Sequence, residues 1–160
     1  MFGHIEKKIT KEQKMKKIFV LFCLLIFTLN AFSQTPEWNW ARIAGASGDF
    51  TDLGYGISTD FTGNIYVTGY FKDTATFGSY PLTSSGDSDI FVAKLDPNGN
   101  WLWVKKAGSS GTDVGKGVST DTNGNVYVTG YFQNTASFGS FDLVSFGGKD
   151  IFVSKLDTKW

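Results

Sequence analysis

An all-β fold made of two tandem copies of one unit is predicted by three observations. Residues 54–96 align with residues 115–157 at an offset of 61, with 28 identities in 43 positions and no gap. The apolar runs of each copy are short, rich in Val, Ile, Phe, Tyr and Trp, and bounded by Gly, Asn and Asp. Downstream of residue 33 no stretch shows the 3.6-residue apolar period of a helix. Ahead of each copy, WNWARIAG (38–45) matches WLWVKKAG (101–108) at an offset of 63. The loop that follows is therefore two residues shorter in the second copy, a change that a surface loop beside Gly and Ser tolerates.

Each unit offers its segments in the same order. A W-x-W run comes first, then G-x-G-[IV]-S-T-D (54–60 and 115–121), then the central run, Ile65–Phe71 or Val126–Phe132. A shorter, weaker run follows (76–82 and 137–143), and DIFV[AS]KLD (89–96 and 150–157) closes the unit. Asn98-Gly99 and Asn123-Gly124 stand between strand candidates and predict hairpin turns, because these residues accept positive φ. Alternation places Ile65, Val67 and Gly69 on one face and Tyr66, Thr68 and Tyr70 on the other. In the closing strand Ile90 and Val92 oppose Phe91, Ala93 and Leu95. Both faces are apolar, so each sheet must be covered twice. Small antiparallel sheets stacked around an axis meet that demand. The predicted architecture is two tandem four-stranded antiparallel blades of a β-propeller, itself incomplete.

The string DxxGNxYVTGYF, [TS]FG and DIFV[AS]KLD, extended by NGNWLW after the first copy, resembles the bacterial β-propeller repeat family SBBP. The resemblance covers nearly all of the chain after residue 33. It implies one blade per repeat and tandem arrays in large exported proteins, many of them from Bacteroidetes. It brings no catalytic constellation with it.

The N-terminal part reads as an address. Lys16 and Lys17 precede a twelve-residue apolar run, Ile18–Leu29, and Ala31-Phe32-Ser33 offers small residues to a signal peptidase. Twelve residues fall short of the roughly 20 that span a bilayer. The expected organisation is an upstream over-extension (1–14) before a start at Met15, a secretory signal peptide (15–33), a first repeat (34–100) and a second repeat (101–160) with a truncated third. Six of the 15 basic and two of the 15 acidic residues precede Gln34, which leaves the mature chain at 9 − 13 = −4. A mildly acidic chain without a basic patch is not expected to bind nucleic acid, or membrane after cleavage. His4 and Cys23 both lie ahead of Gln34, so Ser-His and Cys-His nucleophiles and most transition-metal sites are excluded from the mature chain.

Three sets of residues are candidate sites. Asp96-Pro97-Asn98-Gly99-Asn100 and Asp121-Thr122-Asn123-Gly124-Asn125 could begin a Ca²⁺ loop, but no Glu closes it and Thr62 replaces Asn in the Asp60–Asn64 copy. They read as hairpin turns. Trp38/Trp40 and Trp101/Trp103 place two indoles on one strand face, a platform for stacking on sugars or peptides. Packing between blades accounts better for a pair that recurs. The recurring acids, Asp52/Asp113, Asp60/Asp121, Asp89/Asp150 and Asp96/Asp157, occupy equivalent places, whereas acid–base catalysis needs carboxylates in different surroundings. No catalytic, metal or cofactor site is therefore expected.

Two blades cannot close a propeller of the usual 4–8. The expectation is a segment of a longer protein, or else a subunit of a ring. Its partners would be other blades of the same protein or identical subunits, and surface glycans or proteins. The expected role is an exported, non-catalytic scaffold or interaction module of a larger secreted or cell-surface protein. The alternatives are a carbohydrate-binding propeller, and the non-catalytic part of an enzyme whose active site lies elsewhere.

Overall fold

A computed structural model describes residues 10–28 and 35–157, which divide at Trp38/Asn39 into two compact units. In the first unit, helix α1 (Lys11–Thr28) carries the apolar run as far as Thr28. Its N-terminus is a capping box: Thr10 N donates to Gln13 Oε1 at 3.2 Å and Gln13 N donates to Thr10 Oγ1 at 3.4 Å. Among the described residues no helix is long and apolar enough to cross a membrane. The expected cleavage site, Ala31 to Gln34, lies outside the described residues.

The second unit is all β. One antiparallel sheet holds β2 (Leu53–Thr59), β3 (Ile65–Phe71), β6 (Asp89–Leu95) and β7 (Trp101–Ala107), in the order β2-β3-β6-β7. A second holds β8 (Val114–Thr120), β9 (Val126–Phe132) and β12 (Asp150–Leu156), in the order β12-β9-β8. Each sheet carries a hairpin between its second and third strands: β4 (Thr74–Phe77) with β5 (Tyr80–Thr83), and β10 (Thr135–Phe138) with β11 (Phe141–Val144). The short β1 (Ala44–Ala46) pairs with β4.

Two features differ from the expectation. The second W-x-W run does not open its own sheet: β7 pairs with β6 and completes the first sheet. The cause is the Asp96–Asn100 turn, where Gly99 at φ 78° folds the chain straight back along β6. The weaker run, expected as one strand, is the β4–β5 hairpin. The first sheet is thus a four-stranded blade that borrows its outer strand from the next repeat. The second sheet has three strands among the described residues, and β12 pairs only with β9.

The two-faced strands do bury both faces. Tyr66, Ile90 and Val92 of the first sheet share one core with Val126, Val128, Phe132 and Phe152 of the second. The opposite face of the first sheet builds another core from Phe71, Phe77, Phe91 and Ala93, roofed by the β4–β5 hairpin. The hairpin phenylalanine packs on its sheet in the same way in both copies. Ring centroids lie 4.9 Å apart for Phe77–Phe91 and 4.7 Å for Phe138–Phe152.

The Gly of the repeated V-T-G-Y-F is fixed by a bulge that brings β2 against β3. A Cβ on Gly69 would sit 1.8 Å from Leu53 O, and one on Gly130 would sit 1.9 Å from Val114 O. Because backbone is what would have to move, Gly69→Ala is expected to lose about 1–3 kcal/mol of unfolding free energy in urea titration. Phe91→Ala, which empties the roofed core, is expected to lose about 3–5 kcal/mol. A loss below about 0.5 kcal/mol for either would contradict the packing described.

Candidate functional site

Trp101 and Trp103 do not share one strand face. In the β6/β7 register Lys94 opposes Trp103 and Leu95 opposes Trp101, so Leu102 is the extra residue of a bulge. The parity that puts both indoles on one face is thereby broken. Trp101 packs edge-on to Phe77 in the roofed core, at 5.6 Å and 84°. Trp103 lies on the other face against Tyr66, at 6.1 Å. In the first copy, Trp40 Nε1 donates to Pro97 O at 3.2 Å, and Arg42 Nε donates to Gly99 O at 2.8 Å. Both side chains therefore clasp the Asp96–Asn100 turn. Trp38 is 96% exposed.

The acidic turns are self-contained. Asp60 Oδ1 accepts from Thr62 N at 2.9 Å and Asn64 N at 3.0 Å, and Oδ2 accepts from Asn64 Nδ2 and from the Tyr66 hydroxyl at 3.1 Å. Asp121 makes the same set with Asn123, Asn125 and Tyr127. Asp96 does so with Asn98 and Asn100. Thr62 replaces Asn without loss, because its hydroxyl donates to Asp60 and accepts from Asn64. Partial burial opposes ionisation of Asp60, but the bonds from Asn64, Thr62 and Tyr66 outweigh it and hold its carboxyl well below the usual range. The same pairing, with burial first, pushes the Tyr66 hydroxyl up to about 12.

Other recurring acids stitch strands together. Asp52 accepts from Ala46 N and Lys72 N, while Asp113 accepts from Ser109 N and Gln133 N. Asp89 is fully buried beside Asp113 at the junction of the two sheets. Burial pushes its carboxyl up, against the pull of Ser85 N and of Lys106, 3.4 Å away. Among the described residues no group of three or more His, Cys, Asp or Glu side chains could hold a metal ion.

What the structure adds is an open face. Ile90 and Val92 are 1% and 6% exposed, yet their equivalents Ile151 and Val153 are 81% and 74% exposed. Tyr127, equivalent to the buried Tyr66, opens with them, flanked by Lys155 Nζ 5.7 Å from its ring. Beside it a shallow cavity of about 440 Å³ is lined by Asn123, Asn125, Lys155 and Asp157. The first sheet has its own open flank, where Leu53 and Ile57 are exposed although the equivalent Val114 is buried. These residues are missed when sites are sought among Trp and Asp. The 61-residue offset pairs Tyr127, Ile151, Val153 and Leu53 with the buried Tyr66, Ile90, Val92 and Val114, and Ile57 with the half-buried Val118.

Stacked antiparallel sheets with two apolar faces and a borrowed outer strand define a β-propeller repeat protein. Residues 39–70 and 102–131 match the β-propeller repeat family SBBP, and the chain carries two repeats of that family. It is also similar to an uncharacterized WD repeat-containing protein of Acanthamoeba polyphaga mimivirus. The two are 31% identical over 136 aligned residues, covering 72% of this chain and 10% of the relative. The chain thus spans about a tenth of that protein's length.

Asp60 is ionised more readily folded than unfolded, so its contribution to stability is complete above the unfolded value near 3.8 and fades as pH falls toward the folded one. Asp60→Asn is therefore expected to reduce the loss of stability below pH 4, measured by urea midpoints across an acid series. An unchanged acid limb would contradict the assignment.

Proposed function

We propose that this chain is an exported, non-catalytic β-propeller segment that serves as a scaffold or interaction module of a larger secreted or cell-surface protein. The observation that carries this reading is the open face of the second sheet, where Tyr127, Ile151 and Val153 stand exposed although their equivalents form a core. A contiguous apolar face of this kind marks an interaction surface. The WD repeats named in the mimiviral relative favour a repeat scaffold as well. Non-catalytic character is supported by the recurring carboxylates, whose oxygens accept from the N–H groups of their own turns and strand ends.

Export is inferred from residues 15–33 alone. The full chain, produced in a Gram-negative host, is expected outside the cytoplasm with Gln34 as its N-terminus by intact mass. Leu24→Arg with Leu25→Arg is expected to retain it inside at its uncleaved mass. Cytoplasmic retention of the unaltered chain would overturn the export reading.

A carbohydrate-binding role is favoured by one observation, the exposed indole of Trp38. Glycan-array binding lost on Trp38→Ala, with the circular dichroism spectrum unchanged, would establish it. No glycan bound by the unaltered chain would remove it.

A further inference from the structure

Two carboxylates meet inside the junction of the two sheets, where neither reaches solvent. Asp89 opens β6 of the first sheet, Asp113 stands just before β8 of the second, and both are 0% exposed. No side chain fits between them and the backbone that passes by. A Cβ on Gly108 would lie 2.7 Å from Asp89 Oδ1 and 3.0 Å from Asp113 Oδ2. Backbone bonds close the junction beside the pair: Asp113 N donates to Ser88 O at 2.9 Å, and Ser88 N donates to Gly111 O at 3.3 Å.

The two acids are unequally supplied with donors. Asp113 Oδ2 accepts from Ser109 N at 2.6 Å and from Ser109 Oγ at 2.8 Å, and its Oδ1 accepts from Gln133 N at 2.9 Å. Asp89 Oδ2 accepts from Ser85 N at 2.9 Å, but its buried Oδ1 accepts from no group among the described residues. Lys106 of β7 is the cation that faces Asp89, with Nζ 3.4 Å from Oδ2. That ammonium lies closer to Thr83 O, at 2.6 Å, and to Ser85 Oγ, at 2.8 Å. Asp113 is the anion that faces Asp89 from the second sheet. Asp87 and Lys72, both partly in solvent, pair with each other at 2.9 Å. An ionised Asp89 therefore holds a bare buried oxygen beside a second carboxylate, and both features oppose its charge. A proton on Asp89 removes both.

We propose that Asp89 is held in the folded chain as a neutral carboxylic acid, and that loss of its proton loosens the junction between the sheets. The bonds of Ser88 to Gly111 and Asp113 adjoin the acid, and they part as water reaches the anion. The device responds to pH. Burial, together with the Asp113 charge, raises the Asp89 carboxyl above 3.8, against Ser85 N and Lys106. Between 3.8 and the raised value the folded chain thus holds a proton that the unfolded chain has lost. The contribution to stability is complete below 3.8 and is lost as pH rises through the folded value. Its sign is opposite to that of Asp60.

Two readouts on the full chain test this. Carbon-13 NMR follows the Asp89 Cγ signal, assigned through its own backbone, and so gives the midpoint of its titration. Hydrogen exchange of the Asp113 amide, corrected for the intrinsic rate, reports the junction over the same range. The expected result is an Asp89 midpoint above 3.8, with an Asp113 protection factor that falls at least about 3-fold as pH rises through it. In Asp89→Asn, which keeps the shape of the neutral acid, that fall is expected to vanish. Lys106→Met leaves Asp89 in place and removes the facing cation, so midpoint and fall are expected to move together to higher pH. A midpoint at or below 3.8 overturns the neutral acid. A raised midpoint with constant protection overturns the junction role, as does a fall that persists in Asp89→Asn or stays in place in Lys106→Met.

Discussion

A sheet that is apolar on both faces cannot stand alone, and the rest of this structure depends on that constraint. Burying a Phe, Ile or Val side chain contributes about 1.5–3 kcal/mol, so a blade left open on one side forfeits several such contributions. The first sheet meets the constraint twice. One face buries Tyr66, Ile90 and Val92 against the second sheet, and the other buries Phe71 and Phe91 under its own hairpin. The second sheet meets it once. Its inner face is filled by Val126, Val128 and Phe152, while Ile151 and Val153 face outward. The functional reading follows from that imbalance.

Close approach of the sheets explains the paired glycines of G-x-G-[IV]-S-T-D. A Cβ on Gly56 would lie 3.1 Å from Gly117 Cα, and one on Gly115 would lie 2.2 Å from Thr68 Oγ1. The inner strands β2 and β8 thus meet almost backbone to backbone, and Thr120 Oγ1 donates to Thr59 O across the gap at 2.9 Å. Side chains of ordinary size are excluded there, so large residues collect on the central and outer strands. The aspartates complete the frame: their carboxylates satisfy N–H groups at turns and strand ends that would otherwise be left unpaired.

Much of this is legible in the residues. The alternation in IYVTGYF and DIFVAKLD reads directly as a two-faced sheet, and the Asn-Gly pairs mark the turns that the backbone makes. Other features are not legible because they depend on register. The bulge at Leu102 sends Trp101 and Trp103 to opposite faces, and no count of parity reveals it. The transfer of β7 to the preceding sheet is implied by Asn98-Gly99 but masked by the repeat boundary. Exposure of Ile151 has no local signal. It differs from Ile90 only in what stands in front of it.

The most direct test of the stacking uses the repeat itself. Gly54 and Gly115 are equivalent, but a methyl group on Gly54 would meet only Val67 Cγ1 at 3.7 Å, whereas one on Gly115 would strike the neighbouring sheet. The measurement is the unfolding free energy of Gly54→Ala and Gly115→Ala, at a concentration where light scattering gives the mass of one chain. The account predicts a loss of about 1–3 kcal/mol for Gly115→Ala and a change within about 0.5 kcal/mol for Gly54→Ala. Equal effects at the two positions would contradict it.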